Sequence, residues 1–337
     1  MSMQRHSYGF STIELIVGTA LSALLLTGVL SVFVGSRSTY ATIDQRSQFE
    51  DNGRYGLQQM VKNIRAAGYS VCSRDVSRSV NVLNHADQWK WKTDYAVVGF
   101  HAVGKNGWMP DLDSTIPKPL SGTDVLVIHA PKQGGDTIKL TSNMQSANDP
   151  LVVDSSAKKI LARGDFVMVA DCEGHSTFQV TGMSGDDAVS ILHSATRGDS
   201  MIPGNTRGSL DSAYPVGSSV IPLRTITYYI GQAAIGKGSS LWQQTDNQRP
   251  EEVAEGAEDL QLLFGIDTDG DQRVTKYVTA DAVPSWDKVL SVRISLHVRA
   301  STNPTDPPET LQESQTSANS EKNLLFTSTV TIRSAAP

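Results

Sequence analysis

The chain has 337 residues, 39% of them hydrophobic and 19% charged, which is typical of a folded protein with a real core and argues against global disorder. Lys and Arg number 29 against 35 Asp and Glu, giving a formal net charge of −6 at pH 7. This balance argues against a chain that wraps a polyanion, so we expect no nucleic-acid partner. The two cysteines form no CxxC pair, which argues against a structural zinc site.

The first element is a largely apolar stretch, residues 10–34, which follows a polar leader, residues 1–9. At about 1.5 Å per residue, a helix of this length spans a bilayer core. Its only charged residue is Glu14, and a carboxylate in hydrocarbon costs about 2.5–3.5 kcal/mol, so a function for this side chain is expected. The alternative is a tolerated glutamate that snorkels to the interface. Because Arg5 lies in the leader, the leader is predicted to stay cytoplasmic and the chain beyond about residue 36 to be exported.

Residues 35–69 are predicted to continue this helix in amphipathic form. Phe49, Leu57, Met60 and Ile64 recur at helical spacing on one face, and Gly68 stands where a C-cap glycine ends a helix. The apolar face is expected to pack on a sheet.

The remaining residues, 70–337, are predicted to form an extracytoplasmic β-rich body. The strands are expected at Val125–Ile128, Phe166–Ala170, Leu290–Val298 and Phe326–Arg333. Asn303–Asn323 is rich in Pro, Ser, Thr, Glu and Gln and is interpreted as a surface excursion. The predicted fold class is therefore α+β: a long N-terminal transmembrane and amphipathic helix packed on an antiparallel β-sheet with large insertions.

The segment Gly9-Phe10-Ser11-Thr12-Ile13-Glu14-Leu15 resembles the cleavage and methylation motif of type IV prepilins. The resemblance implies that a prepilin peptidase cuts between Gly9 and Phe10 and methylates the new amine of Phe10. It also implies that Glu14 pairs with the cationic N-terminus of a neighbouring subunit during assembly. The proline found in the membrane segment of many major pilins is absent here, so helix melting attributed to that proline is not carried over.

Further patches resemble the PilW family of minor pilins. They are Asn52–Tyr55, Ile64–Tyr69 with Cys72, Asp165–Cys172, Glu258–Gln261, Asp267–Asp271 and Trp286 with Val289–Ile294. The resemblance implies an inner-membrane, single-pass minor pilin that primes pilus assembly, belongs to the tip complex and is incorporated into the pilus. Its implied partners are other minor and major pilins, the prepilin peptidase, the pilus assembly platform and a tip adhesin. A minor pseudopilin of type II secretion, or a membrane-tethered module that binds calcium, a surface or DNA, stays open as the alternative.

Export makes a disulfide between Cys72 and Cys172 plausible, and two buried free thiols are the alternative. The bridge would close a loop of about 100 residues, for which the chain-entropy model gives about 4–5 kcal/mol.

Three alternating carboxylates, Asp267, Asp269 and Asp271, are compatible either with a weak calcium site or with an acidic turn. The late glutamate of a calcium loop is missing, because Val278 stands at its position. No other metal and no cofactor is expected.

Gly231–Gly238 approaches a phosphate-binding loop, but it lacks the final Ser or Thr and the following helix, so a hairpin loop is expected. His297 lies on the polar face of an alternating strand, where a solvated side chain is expected. Neither HExxH nor GxSxG occurs, and we expect no enzyme.

Overall fold

The computed structural model describes residues 11–68, 78–104, 107–112, 116, 119–132, 138–198, 203–236, 238–299 and 323–332. The chain forms two compact units, which meet in sequence between Gln48 and Phe49. Helix α1 (Thr12–Ala66) is the only α-helix of the described residues. The described strands are β1 (Arg78–Asn81), β2 (Val97–Val103), β3 (Gly107–Met109), β4 (Val125–Pro131), β5 (Ile138–Lys139), β6 (Leu151–Asp154), β7 (Phe166–Ala170), β8 (Gly174–Gln179), β9 (Gly182–Ser184), β10 (Ala188–Leu192), β11 (Ser219–Gln232), β12 (Ser239–Thr245), β13 (Glu251–Glu255), β14 (Ala257–Ile266), β15 (Lys276–Val278), β16 (Val289–Arg299) and β17 (Asn323–Thr331).

The helix ends where the glycine signal predicts. Gly68 adopts φ of +63°, a left-handed conformation that glycine reaches without a Cβ penalty. Its N–H donates to the carbonyl of His129 at 3.3 Å, so the end of the helix is tied directly to β4. On the predicted stripe, Met60 and Ile64 are fully buried, while Phe49 and Leu57 are half-buried against the same core.

The largest sheet is organised around β11. One edge of β11 pairs with β4 and β5, and the other edge pairs with β7 and β12. The order β1-β8-β7-β11-β4-β2-β3 is antiparallel except for the β1–β8 pair, and β13 joins through β12. Within the described chain this sheet has ten strands.

A second sheet has the order β15-β14-β16-β17. The predicted alternation holds in β16, where Val292, Ile294 and Leu296 are buried and Arg293 is exposed. Ser291 departs from it, being only 3% exposed, because its hydroxyl lies 3.2 Å from that of Tyr277 and has a polar partner there. The last strand begins three residues before the predicted Phe326 and ends two before Arg333.

Residues 49–67 pack into the main core, which also takes side chains from β4, β11–β14, β16 and β17. A separate core lies within the long stretch between the helix and β11. It is built from β5–β8 and β10 and includes Leu151, Val153, Phe178, Val189 and Ile191, all fully buried. The predicted α+β class, with an N-terminal apolar helix and a large, mostly antiparallel sheet region, is thereby confirmed.

Candidate functional site

The apolar part of α1 covers Thr12–Arg37, 26 residues with a mean hydropathy of 2.2. Its side chains are exposed, and Leu24 reaches 72%, so lipid or neighbouring helices are needed to cover them. The Thr19 and Ser31 hydroxyls each donate at 2.9 Å to the backbone carbonyl three residues earlier. These hydroxyl donors therefore need no hydrogen-bond acceptor from the lipid. This segment fits a single-pass membrane anchor.

Glu14 caps the start of this helix. The Ser11 N–H donates to Glu14 Oε2 at 3.2 Å, and the Ile13 N–H donates to Ser11 Oγ at 3.3 Å. This reciprocal pattern is a capping box, in which side chains satisfy N–H groups that have no intrahelical acceptor. The carboxylate therefore lies at the positive end of the helix dipole. Gly9 and Phe10 lie outside the described residues, so cleavage and methylation stay predictions.

Two glycines of α1 bring its backbone close to the body. A Cβ at Gly53 would overlap the ring of Phe326 in β17. A Cβ at Gly56 would lie 3.0 Å from Ala254 Cβ and 3.1 Å from Leu241 Cδ2. These positions set how closely residues 49–66 approach the two sheets.

A buried polar network lies below the next turn of α1. Asn63 Nδ2 donates to the Tyr228 hydroxyl at 2.7 Å, and that hydroxyl donates to Gln243 Oε1 at 2.6 Å. Arg224 Nη2 donates to Asn63 Oδ1 at 3.1 Å. Burial raises the pKa of Tyr228, so the phenol stays protonated. None of these four residues was expected from sequence; the available signal was Asn63, three positions after Met60 on the buried stripe.

Asp124 connects the two sheets. Its Oδ1 accepts from the Ala102 N–H at 3.0 Å and lies 3.0 Å from His101 Nδ1, while its Oδ2 accepts from the Leu262 N–H at 2.8 Å. Burial raises the pKa of Asp124, and the two backbone donors and His101 oppose that rise. The carboxylate thus joins β2 to β14.

The three aspartates of the β14–β15 connection do not converge on one point. Asp267 Oδ1 accepts from the N–H groups of Asp269 (3.1 Å) and Gly270 (2.7 Å), and its Oδ2 accepts from that of Gln272 (2.9 Å). Asp271 instead accepts from the N–H of Arg273 at 2.9 Å. Burial opposes ionisation of Asp267, but the backbone donors outweigh it and lower its pKa.

These bonds engage both carboxylate oxygens of Asp267, as in an acidic turn, which is one of the two alternatives that the sequence leaves open. In the described part of the chain, no group of three or more His, Cys, Asp or Glu side chains is placed to hold a metal ion.

The other predicted positions are dispersed. Cys172 lies in the β7–β8 turn, whereas Cys72 is outside the described residues, so the bridge stays a prediction. The glycine-rich loop is the β11–β12 hairpin, in which the Ala233 N–H donates to the Gly238 carbonyl at 2.9 Å, as expected for a turn. His297 lies opposite Asp259 in the β14–β16 ladder and is half-exposed.

Comparison with known proteins finds a similarity for the C-terminal third of the chain. The family model "Type IV Pilus-assembly protein W" matches residues 227–334. The match begins within β11 and runs through β17. It therefore contains most of the strands that share the main core with residues 49–67. No curated protein and no solved structure matches the chain significantly. Residues 227–334 of the chain are therefore similar to the PilW family of type IV pilus-assembly proteins.

Proposed function

We propose that the chain is a minor pilin that helps to prime type IV pilus assembly and takes its place in the tip complex. The observation that carries the proposal is one helix, Thr12–Ala66, with an exposed apolar segment, a carboxylate at its start and a C-terminal part docked in a pilus-assembly body. In this proposal the chain acts by assembly and not by catalysis.

The apolar segment supplies the assembly surface. Its exposed leucines, isoleucines and valines are covered by lipid before assembly and by neighbouring pilin helices afterwards. Lipid covers apolar side chains about as well as a neighbouring helix does. An apolar surface therefore gives little preference for one axial position of a helix relative to its neighbour. A charge inside the bundle gives that preference.

Glu14 is the residue proposed to set this position. After cleavage following Gly9, the cationic amine of Phe10 on a neighbouring subunit pairs with the Glu14 carboxylate. Pairing offsets the cost of keeping either charge in a low-dielectric region, and that gain is lost when the helices slip. The capping box with Ser11 keeps the carboxylate at the helix start, where such an amine would arrive.

The proposed location is the bacterial inner membrane, with the body on the extracytoplasmic side until incorporation into the pilus. The proposed partners are other minor and major pilins, the prepilin peptidase, the assembly platform and a tip adhesin.

The experiment separates the charge of Glu14 from its capping role. Glu14→Gln can still accept from the Ser11 N–H but carries no charge, whereas Ser11→Ala removes the hydroxyl cap and keeps the charge. We expect Glu14→Gln and Glu14→Ala to stay in the membrane fraction and to be absent from sheared filaments. Ser11→Ala should be recovered in filaments as the wild type is. Normal recovery of Glu14→Ala would refute the proposed role.

A further inference from the structure

Four large hydrophobic side chains are exposed at one end of the ten-stranded sheet: Val103, Met109, Leu120 and Ile235. Ile235 lies in the β11–β12 hairpin loop and is 87% exposed. Single exposed apolar side chains are normal on a protein surface, whereas several on neighbouring loops indicate a surface that contacts an apolar partner. These four residues are called the apolar rim below.

The strand directions bring the rim together. β4 pairs antiparallel with β11, and β2 pairs antiparallel with β4, so the start of β4 and the end of β2 lie beside the end of β11. Val103 is the last residue of β2, and Met109 lies opposite His101 in the β2–β3 pair. The Leu120 N–H donates to the Ile230 carbonyl of β11 at 2.7 Å. The rim therefore spans four adjacent strands, or about 14 Å at about 4.8 Å per strand.

The loops of the rim contain no acidic residue. Residues 103–110, 117–122 and 231–240 include three lysines and no Asp or Glu, although the whole chain has a net charge of −6. Trp108 of β3 is half-buried, and its Nε1 donates to the Thr123 carbonyl at 2.9 Å, so its N–H needs no water. Apolar side chains with tryptophan and lysine are typical of segments that lie in a membrane–water interface.

The chain enters its second compact unit at the same end. A Cβ at Gly256 would overlap the ring of Phe49, the first residue of this unit, and the Gly256 N–H donates to the Ser239 carbonyl at 3.0 Å. Ser239 is the first residue of β12 and lies opposite Gln232, the last residue of β11. In sequence, Phe49 is the twelfth residue after the apolar segment Thr12–Arg37. The rim thus lies at the end of the unit that connects to the membrane anchor.

We propose that the apolar rim inserts into the interface of the lipid bilayer that holds the anchor. Ile235 enters first, because it is the most exposed of the four and lies in the hairpin loop. Glu252 Oε1 accepts from the Ala234 N–H at 3.3 Å, which holds this loop to β13. A bilayer is the favoured partner because the anchor keeps it at a high effective concentration, so that even a weak contact is populated. The proposal goes beyond the assembly role and does not depend on Glu14.

The test is photocrosslinking of the full chain in proteoliposomes of phosphatidylethanolamine and phosphatidylglycerol. In the test variant, Ile235→p-benzoylphenylalanine, the photoreactive side chain replaces the most exposed residue of the rim. The matched control is Val216→p-benzoylphenylalanine, because Val216 is an apolar residue, 56% exposed, that precedes the opposite end of β11. Leu24→p-benzoylphenylalanine, in the apolar segment, shows that lipid adducts form and are detected by intact mass.

We expect the yield of lipid adduct at position 235 to exceed that at position 216 about fivefold or more. With the photoreactive residue at position 109, the further change Ile235→Asp should lower the adduct yield, and Val216→Asp should not.

Equal yields at positions 235 and 216, or an adduct at position 24 alone, would overturn the proposal. A protein adduct at position 235 in place of the lipid adduct would show that the rim contacts another chain, and would also overturn it. Glu14→Ala should leave the lipid adduct at position 235 unchanged. Failure of the lipid contact is therefore distinguishable from failure of the assembly role.

Discussion

Replacing Asn63 by alanine removes the side chain that connects α1 to the central strand β11. The lost hydrogen bonds to described side chains include the one from Asn63 Nδ2 to Tyr228 at 2.7 Å and the one from Arg224 to Asn63 Oδ1 at 3.1 Å. The Tyr228 hydroxyl keeps its bond to Gln243, and Arg224 Nε keeps its bond to the Pro131 carbonyl at 3.2 Å. The variant should therefore fold but with a less stable helix–sheet contact.

The magnitude follows from the two bonds. A buried bond between neutral groups contributes about 0.5–1.5 kcal/mol, and one with a charged donor contributes about 1.5–3 kcal/mol. We expect Asn63→Ala to lower the free energy of unfolding by about 2–4 kcal/mol. For a domain of this size that corresponds to a fall in Tm of about 4–10 °C.

The assay is thermal unfolding of the full chain in detergent, followed by tryptophan fluorescence. Gln58→Ala, on the exposed side of the same helix, is the matched control and should shift Tm by less than about 1 °C. A double-mutant cycle with Tyr228→Phe isolates the pair, with an expected coupling of about 0.5–3 kcal/mol. A Tm for Asn63→Ala equal to that of the control, or zero coupling to Tyr228, would refute this account of the network.

Three further predictions rest on the same physical terms. Gly53→Leu should lower the free energy of unfolding by about 1–3 kcal/mol despite its better helix propensity, because the side chain meets an aromatic ring of β17; an unchanged melting temperature would contradict the close approach. Burial lowers the pKa of His129 in the folded protein. Its contribution to stability is therefore present above about pH 6.5 and is lost as the pH falls towards the pKa of the folded state. His129→Gln should flatten the fall in Tm between pH 7.5 and 5.5, whereas His85→Gln, at an exposed position, should not. Asp267→Asn should lower Tm and Asp271→Asn should change it little, with no effect of millimolar calcium on the wild type; a calcium-dependent rise in Tm abolished by Asp267→Asn would restore the cation site.

Local sequence patterns predicted the elements whose physics is local. The apolar run predicted the membrane segment from hydrophobicity, and the stripe through Met60 and Ile64 predicted the buried face from the helical period. The glycine after the helix predicted the helix end from backbone freedom. Each signal lies within a short stretch of sequence. The alternation in β16 likewise predicted which side chains are buried, and only Ser291 differs, because a distant tyrosine supplies its partner.

The sequence by itself determined an apolar N-terminal helix with one carboxylate at its start, a docked amphipathic continuation and a β-rich body. The tertiary structure alone decided the contacts that join residues far apart in the chain. Asn63 contacts Tyr228 because residues 49–67 pack into the main core, and Asp124 contacts Leu262 because two sheets share that core. No spacing in the sequence encodes either contact. The acidic turn shows the same limit at short range, since three alternating carboxylates are compatible with a turn and with a weak calcium site. The tertiary structure shows which backbone groups they contact: three N–H groups donate to Asp267.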